Sequence, residues 1–144
     1  MKLFTIGFTK SKALEFFGRL ERSGVRHVYD TRLNRVSQLA GFAKQDDLSF
    51  FLSRIGGIEY SVESLLAPTA DMLDAYRKKE MAWPEYERRY LELLDVRKIE
   101  KRIDLSSLNN VCLLCSEATP EHCHRRLAAD YLALSVTDLE IVHL

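Results

Sequence analysis

Between Asn110 and Leu134 the chain reads NVCLLCSEATPEHCHRRLAADYLAL, and no other stretch gathers so much reactive chemistry. Cys115, Ser116 and Glu117 stand at one lip of a short connection, and His122, Cys123, His124, Arg125 and Arg126 at the other. A thiol at the end of a strand, facing the amino end of a helix with histidine and arginine nearby, is set up to ionise and act as a nucleophile. Cys115 is the candidate, against the alternative that it is a small apolar core residue. Glu117 is a candidate general base if enclosure raises its pKa; otherwise it pairs with Arg125 or Arg126. The spacing from Cys115 to Arg125 exceeds that of the tight phosphate loop of tyrosine phosphatases. Cys112-x-x-Cys115 with Cys123-His124 superficially resembles a zinc set. On a strand, however, positions 112 and 115 point to opposite faces, so no metal is expected, and only a reduced set of Cys115, Cys123 and one histidine stays open. A redox Cys-x-x-Cys is disfavoured by the same alternation.

The elements that must hold these groups follow from periodicity. The apolar run Val111–Cys115 predicts a buried strand, and Thr119-Pro120 predicts the start of a helix with Cys123, Leu127, Tyr131 and Leu134 on one side. On such a helix His122 and His124 diverge by about 200°, which makes His124, beside Arg125, the site member and His122 the reserve. Upstream, Leu3–Phe8 reads as a strand. A helix capped by Ser11 follows, with Leu14, Phe17 and Leu20 inward and Phe16 beside them, and Val25–Thr31 is a second strand. Together they make a β-α-β unit with parallel strands. Leu33–Lys44 is a long loop of mixed character. A helix opens at Gln45 or Asp46 with Leu48, Phe51, Leu52 and Ile55 inward, and Ile58–Val62 is a third strand. Leu65–Leu108 reads as a mostly helical insertion, with helices starting at Pro68-Thr69 and at Trp83-Pro84-Glu85; its aromatics are read as core contacts. Leu139–His143 is the last strand. The expectation is one α/β domain over 1–144, a Rossmann-like three-layer sandwich with a mostly parallel sheet of about five strands.

Composition narrows the class. The 144 residues are 47% hydrophobic and 29% charged, ordinary for a globular domain. Lys plus Arg equals Asp plus Glu at 21 each, which argues against binding nucleic acid by bulk charge. The basic residues between Arg77 and Arg102 alternate with acidic ones, as on a solvated face. No apolar stretch is long enough for a membrane span, and the first ten residues do not read as a signal peptide. Three cysteines without a secretory context suggest reduced thiols and a cytoplasmic setting.

Thr5-Ile6-Gly7, Asp30-Thr31-Arg32, Leu39-Ala40-Gly41-Phe42 and Gly57-Ile58-Glu59-Tyr60 join Cys115-x-Glu117 and Cys123-His124-Arg125 in a pattern that resembles the Domain of Unknown Function 488 family over nearly the whole chain. The resemblance implies a compact α/β domain with a shared pocket and supplies no reaction. Phe8 stands where the wider family often has histidine.

If the strands are parallel, their carboxyl ends share the edge where open α/β sheets bind ligands. That edge collects Lys10, Asp30, Arg32, Cys115, Glu117, His124 and Arg125, with Arg35 and Lys44 closing over the top. Asp30 and Arg32 form an ion pair, or Asp30 orients a histidine or accepts a ligand hydroxyl. A cleft rich in cations and amide donors suits phosphate or another oxyanion. The expected function is an enzyme acting on a phosphate-bearing small molecule, nucleotide or nucleic-acid end. Cys115, Glu117 and Asp30 do its chemistry, and Arg32, His124, Arg125 and Lys10 hold the ligand, without a cofactor. The alternative is a non-catalytic nucleotide or nucleic-acid binding module using the Leu33–Lys44 loop and the Arg77–Arg102 helices.

Overall fold

Five strands form one sheet: β1 (Lys2–Gly7), β2 (His27–Asp30), β3 (Glu59–Val62), β4 (Val111–Cys115) and β5 (Glu140–His143). This computed structural model describes residues 1–36 and 40–144. The strand order is β3-β2-β4-β1-β5, with every pair parallel. The central position of β4 explains its composition: VCLLC is apolar at every residue because a strand covered on both sides has no solvent face. Register places Gly7 opposite Cys115 and Asp30 opposite Leu114, so the carboxyl ends of β1, β2 and β4 finish level along one edge.

Alternation along the strands separates two cores. Phe4, Ile6, Val28, Cys112 and Leu114 face α1 (Ala13–Ser23) and α2 (Gln45–Gly56). Leu3, Val111 and Leu113 face the other layer. That layer comprises α3 (Ala70–Arg77), α4 (Trp83–Arg97), α5 (Ile99–Arg102) and α6 (His124–Ala133). The result is a three-layer α/β sandwich. The helical segment expected between β3 and β4 is α3 to α5, opened by Thr69, whose hydroxyl accepts from the Met72 N–H, and by Pro84 in the first turn of α4.

Several local expectations are corrected. α1 starts at Ala13 after Lys12, without the Ser11 cap, and Leu14 is 85% exposed while Phe16 takes the inward place. Ile55, expected inward, is exposed. Within the Leu33–Lys44 loop, Gly41–Ala43 is a turn of 3-10 helix. Ser37, Gln38 and Leu39 of that loop, and with Leu39 one family-motif position, lie outside the described residues. The largest difference is at α6, which begins at His124 and not at Thr119-Pro120. Residues 116–123 instead cross the end of β1, where the Thr9 N–H and hydroxyl both donate to the Ser116 carbonyl. Gly7 makes room for this crossing, since a Cβ there would lie 1.5 Å from the Glu117 carbonyl oxygen. These tertiary contacts outweigh the local preference of Thr-Pro to open a helix.

Candidate active site

The level strand ends create a small cavity. Its lining comes from the segment after β2 (Arg32, Leu33, Asn34), the end of β4 and its loop (Cys115, Ser116, Glu117, His122, Cys123), the first residue of α6 (His124), and α3 and α4 (Leu73, Tyr76, Arg77, Trp83, Tyr86). It encloses about 70 Å³, far below the roughly 300–1,000 Å³ of a pocket that swallows a drug-sized molecule. A volume of that size has room for a group of only a few atoms.

At the floor, Cys115 Sγ lies 3.6 Å from His124 Nδ1. The other ring nitrogen, Nε2, lies 2.9 Å from the Thr31 carbonyl and 3.0 Å from the Thr31 hydroxyl oxygen. That hydroxyl donates its own proton to the Leu114 carbonyl at 2.8 Å, so both Thr31 oxygens are acceptors toward the ring. Nε2 therefore carries the proton, and in the neutral imidazole the Nδ1 lone pair points at the thiol. The Tyr90 ring, 5.5 Å away, packs against the imidazole from α4.

Burial pushes the Cys115 thiol up, but the Cys123 thiol, the His124 charge and hydrogen bond, and the Glu117 backbone N–H together hold it well below the usual thiol range. For His124, burial works downward and is outweighed by Cys115, with the Thr31 backbone adding to the rise. Cys123 moves the opposite way to Cys115: burial and the neighbouring Cys115 raise it. The shifts thus favour thiolate at Cys115 and imidazolium at His124, and the neutral thiol at Cys123.

Arg32 is the buried cation on the cavity wall. Its Nε and Nη2 each donate at 2.8 Å to one oxygen of Asp30, a forked ion pair buried at both ends. Tyr60 from β3 donates to the same carboxylate. Arg32 also lies over the Phe8 ring at 5.2 Å. Its Nη1 is buried and meets no acceptor among the described residues. A buried guanidinium nitrogen without a partner is costly unless something supplies an acceptor. Opposite, Trp83 stacks on His122 at 4.8 Å and on Tyr86 at 5.3 Å, giving the cavity an aromatic wall.

The cavity thus brings together Cys115, Glu117, Arg32 and His124 of the expected set. Glu117 stands at the lip, exposed, and no ion pair engages its carboxylate among the described residues. Asp30 is not free for chemistry, because both its oxygens are taken by Arg32 and Tyr60; it braces the guanidinium. Arg125 is corrected from ligand contact to buried support: it is fully covered, outside the lining, and its Nη1 donates to the Glu117 carbonyl at 2.6 Å and lies 3.5 Å from Cys123 Sγ. Lys10 is exposed and also outside the lining. Arg35 donates to Gln45 and the Arg32 carbonyl, and Lys44 lines a separate depression, so neither roofs the cavity.

His122 joins the lining with His124, contrary to the expected divergence, because only His124 lies on the helix. The site also takes in Thr31, Trp83 and Tyr86; in the sequence only Thr31 carries a signal, its place directly after Asp30 at a strand end. Cys123 is buried and also lines the cavity. Ligand atoms of Cys115, Cys123 and His124 all lie within 4.8 Å of one another. Three such atoms could share a soft metal ion, but among the described residues no fourth side chain joins them as in a closed structural zinc site.

A family model described as "Domain of unknown function DUF488" matches residues 12–132 of the 144. The chain belongs to the DUF488 family. No curated protein and no solved structure matches it. The DUF488 match spans α1 through nearly all of α6, and with them every residue of the cavity lining. Among the described residues of this DUF488 protein, no helix is long and apolar enough to cross a membrane.

Proposed function

We propose that this protein is a cytoplasmic enzyme in which Cys115 attacks a small phosphate-bearing, or similarly anionic, group carried by a nucleotide, nucleic-acid end or other molecule too large to enter the cavity. One observation carries the reading: a buried thiol at the sheet edge faces a histidine whose other nitrogen is locked as a donor by Thr31. That arrangement is the nucleophile, base and orienting group of covalent catalysis. Arg32, which lines the cavity and is braced by Asp30, supplies positive charge for the anionic group. In the proposed cycle the Cys115 sulfur bonds to the electrophilic centre, the bond to the leaving oxygen breaks, and His124 returns the proton. Water then cleaves the enzyme-bound group, with Glu117 at the lip accepting its proton. The reduced cysteines suit a cytoplasmic setting.

The test is product release from nucleoside phosphates and 5′-phosphorylated oligonucleotides, with intact mass recorded for an adduct on Cys115. Wild type turns one of them over and Cys115→Ser does not; equal turnover by the two proteins refutes the reading. Oligonucleotide affinity that falls steeply with salt, without turnover, favours a backbone-tracking binder instead.

A further inference from the structure

The proposed cycle leaves Cys123 without a task, although its sulfur is buried beside the nucleophile. We infer that Cys115 and Cys123 form a two-thiol redox pair: Cys115 reduces a small hydroperoxide, and Cys123 resolves the product as an intramolecular disulfide that silences the site. The inference rests on Cys115 being the reactive thiolate of the proposed function.

The geometry supports it in five ways. The two Sγ atoms lie within 4.8 Å of each other, and a disulfide needs about 2.05 Å, so side-chain rotation and a small local shift close the gap. Both residues stand where regular structure stops: Cys115 ends β4, and Cys123, in extended conformation, precedes the first residue of α6. Arg125 Nη1 donates to Cys123 Sγ at 3.5 Å, and Cys123 lines the same cavity as Cys115. Cys112 is no rival, because it points to the opposite face of the sheet and packs in the other core. The confined cavity admits a molecule as small as hydrogen peroxide.

The steps balance. The Cys115 thiolate attacks one peroxide oxygen; a sulfur–oxygen bond forms and the oxygen–oxygen bond breaks. The departing alkoxide, or hydroxide from hydrogen peroxide, takes the proton from His124. Cys123 sulfur then bonds to Cys115 sulfur, the sulfur–oxygen bond breaks, and the released hydroxide takes the Cys123 thiol proton as water. Two thiols are oxidised to one disulfide, and the hydroperoxide is reduced to an alcohol, or water, plus water.

The experiment treats the reduced full-length chain with one equivalent of hydrogen peroxide and maps it without reduction. The expected product has lost two hydrogens, carries a Cys115–Cys123 disulfide, and recovers free thiols with dithiothreitol. In Cys123→Ser the disulfide is absent and dimedone traps a sulfenic acid on Cys115. Wild-type Cys115 running on to sulfinic acid with Cys123 still free overturns the inference. So does a bridge involving Cys112, or both thiols surviving peroxide. If Cys123→Ser fails to fold, the wild-type map decides alone. A chain that forms the disulfide yet turns over no phosphate compound refutes only the proposed function; one that turns them over without forming it refutes only the redox pair.

Discussion

Replacing His124 by Gln isolates the interaction on which the site depends. The imidazolium lies 3.6 Å from the Cys115 sulfur, and at an effective dielectric of ~20 two unit charges at that distance attract by about 4–5 kcal/mol. That is an upper bound equivalent to roughly three pKa units. Without it the remaining donors oppose the burial of a charged sulfur alone, and Cys115 moves to or above the ordinary thiol value near ~8.5. At pH 6.5 a thiol of that pKa is about one part in a hundred thiolate, whereas the wild-type thiol is held well below that pKa. Alkylation by iodoacetamide, followed by peptide mass spectrometry from acid to alkaline pH, reads the difference. Wild-type Cys115 reacts on a plateau that extends well below pH 8. His124→Gln loses on the order of 100-fold in rate at pH 6.5 and regains it only in alkali. Coincident profiles for the two proteins, both rising near pH 8.5, would show that the contact does not ionise the thiol.

Three further predictions follow from the same contacts. The raised His124 pKa contributes stability that is full below its unfolded value near ~6.5 and lost as pH rises through the folded one. The lowered Cys115 pKa contributes stability that is full above its unfolded value near ~8.5 and lost as pH falls. Just above the unfolded His value the two slopes oppose each other, so chemical denaturation should show a plateau there, with stability falling as pH drops below it. In Cys115→Ala that plateau disappears; an unchanged curve refutes the pairing. Asp30→Asn strips the buried Arg32 of its partner and should cost about 3–5 kcal/mol, read as a lower urea midpoint; a loss under about 1 kcal/mol, typical of an exposed pair, contradicts the burial argument. Gly7→Ala drives a methyl group into the Glu117 carbonyl and should cost at least about 1–3 kcal/mol. It should also slow Cys115 alkylation at neutral pH by displacing the Glu117 N–H; full stability and full reactivity together would mean that the loop does not depend on that close approach.

Residue types and spacing determined most of the architecture. VCLLC is apolar throughout and LFTIGF is apolar but for Thr5 because their strands are covered on both sides, and the helices between them repeat every three to four residues because one face is buried. The clustering of Cys115, Glu117, Arg32 and His124 at one sheet edge follows from parallel strands and was legible in the same way. Periodicity, however, reports direction only within a regular element. Residues 116–123 form none, and their course was set by Gly7, Thr9 and Arg125. Only the folded chain could therefore bring His122 and His124 to one cavity, bury Arg125 beneath the loop, and engage Asp30 fully with Arg32 and Tyr60. The same holds for Thr31: its side chain and carbonyl fix the histidine tautomer across a separation of 93 residues, a relation that no local spacing encodes.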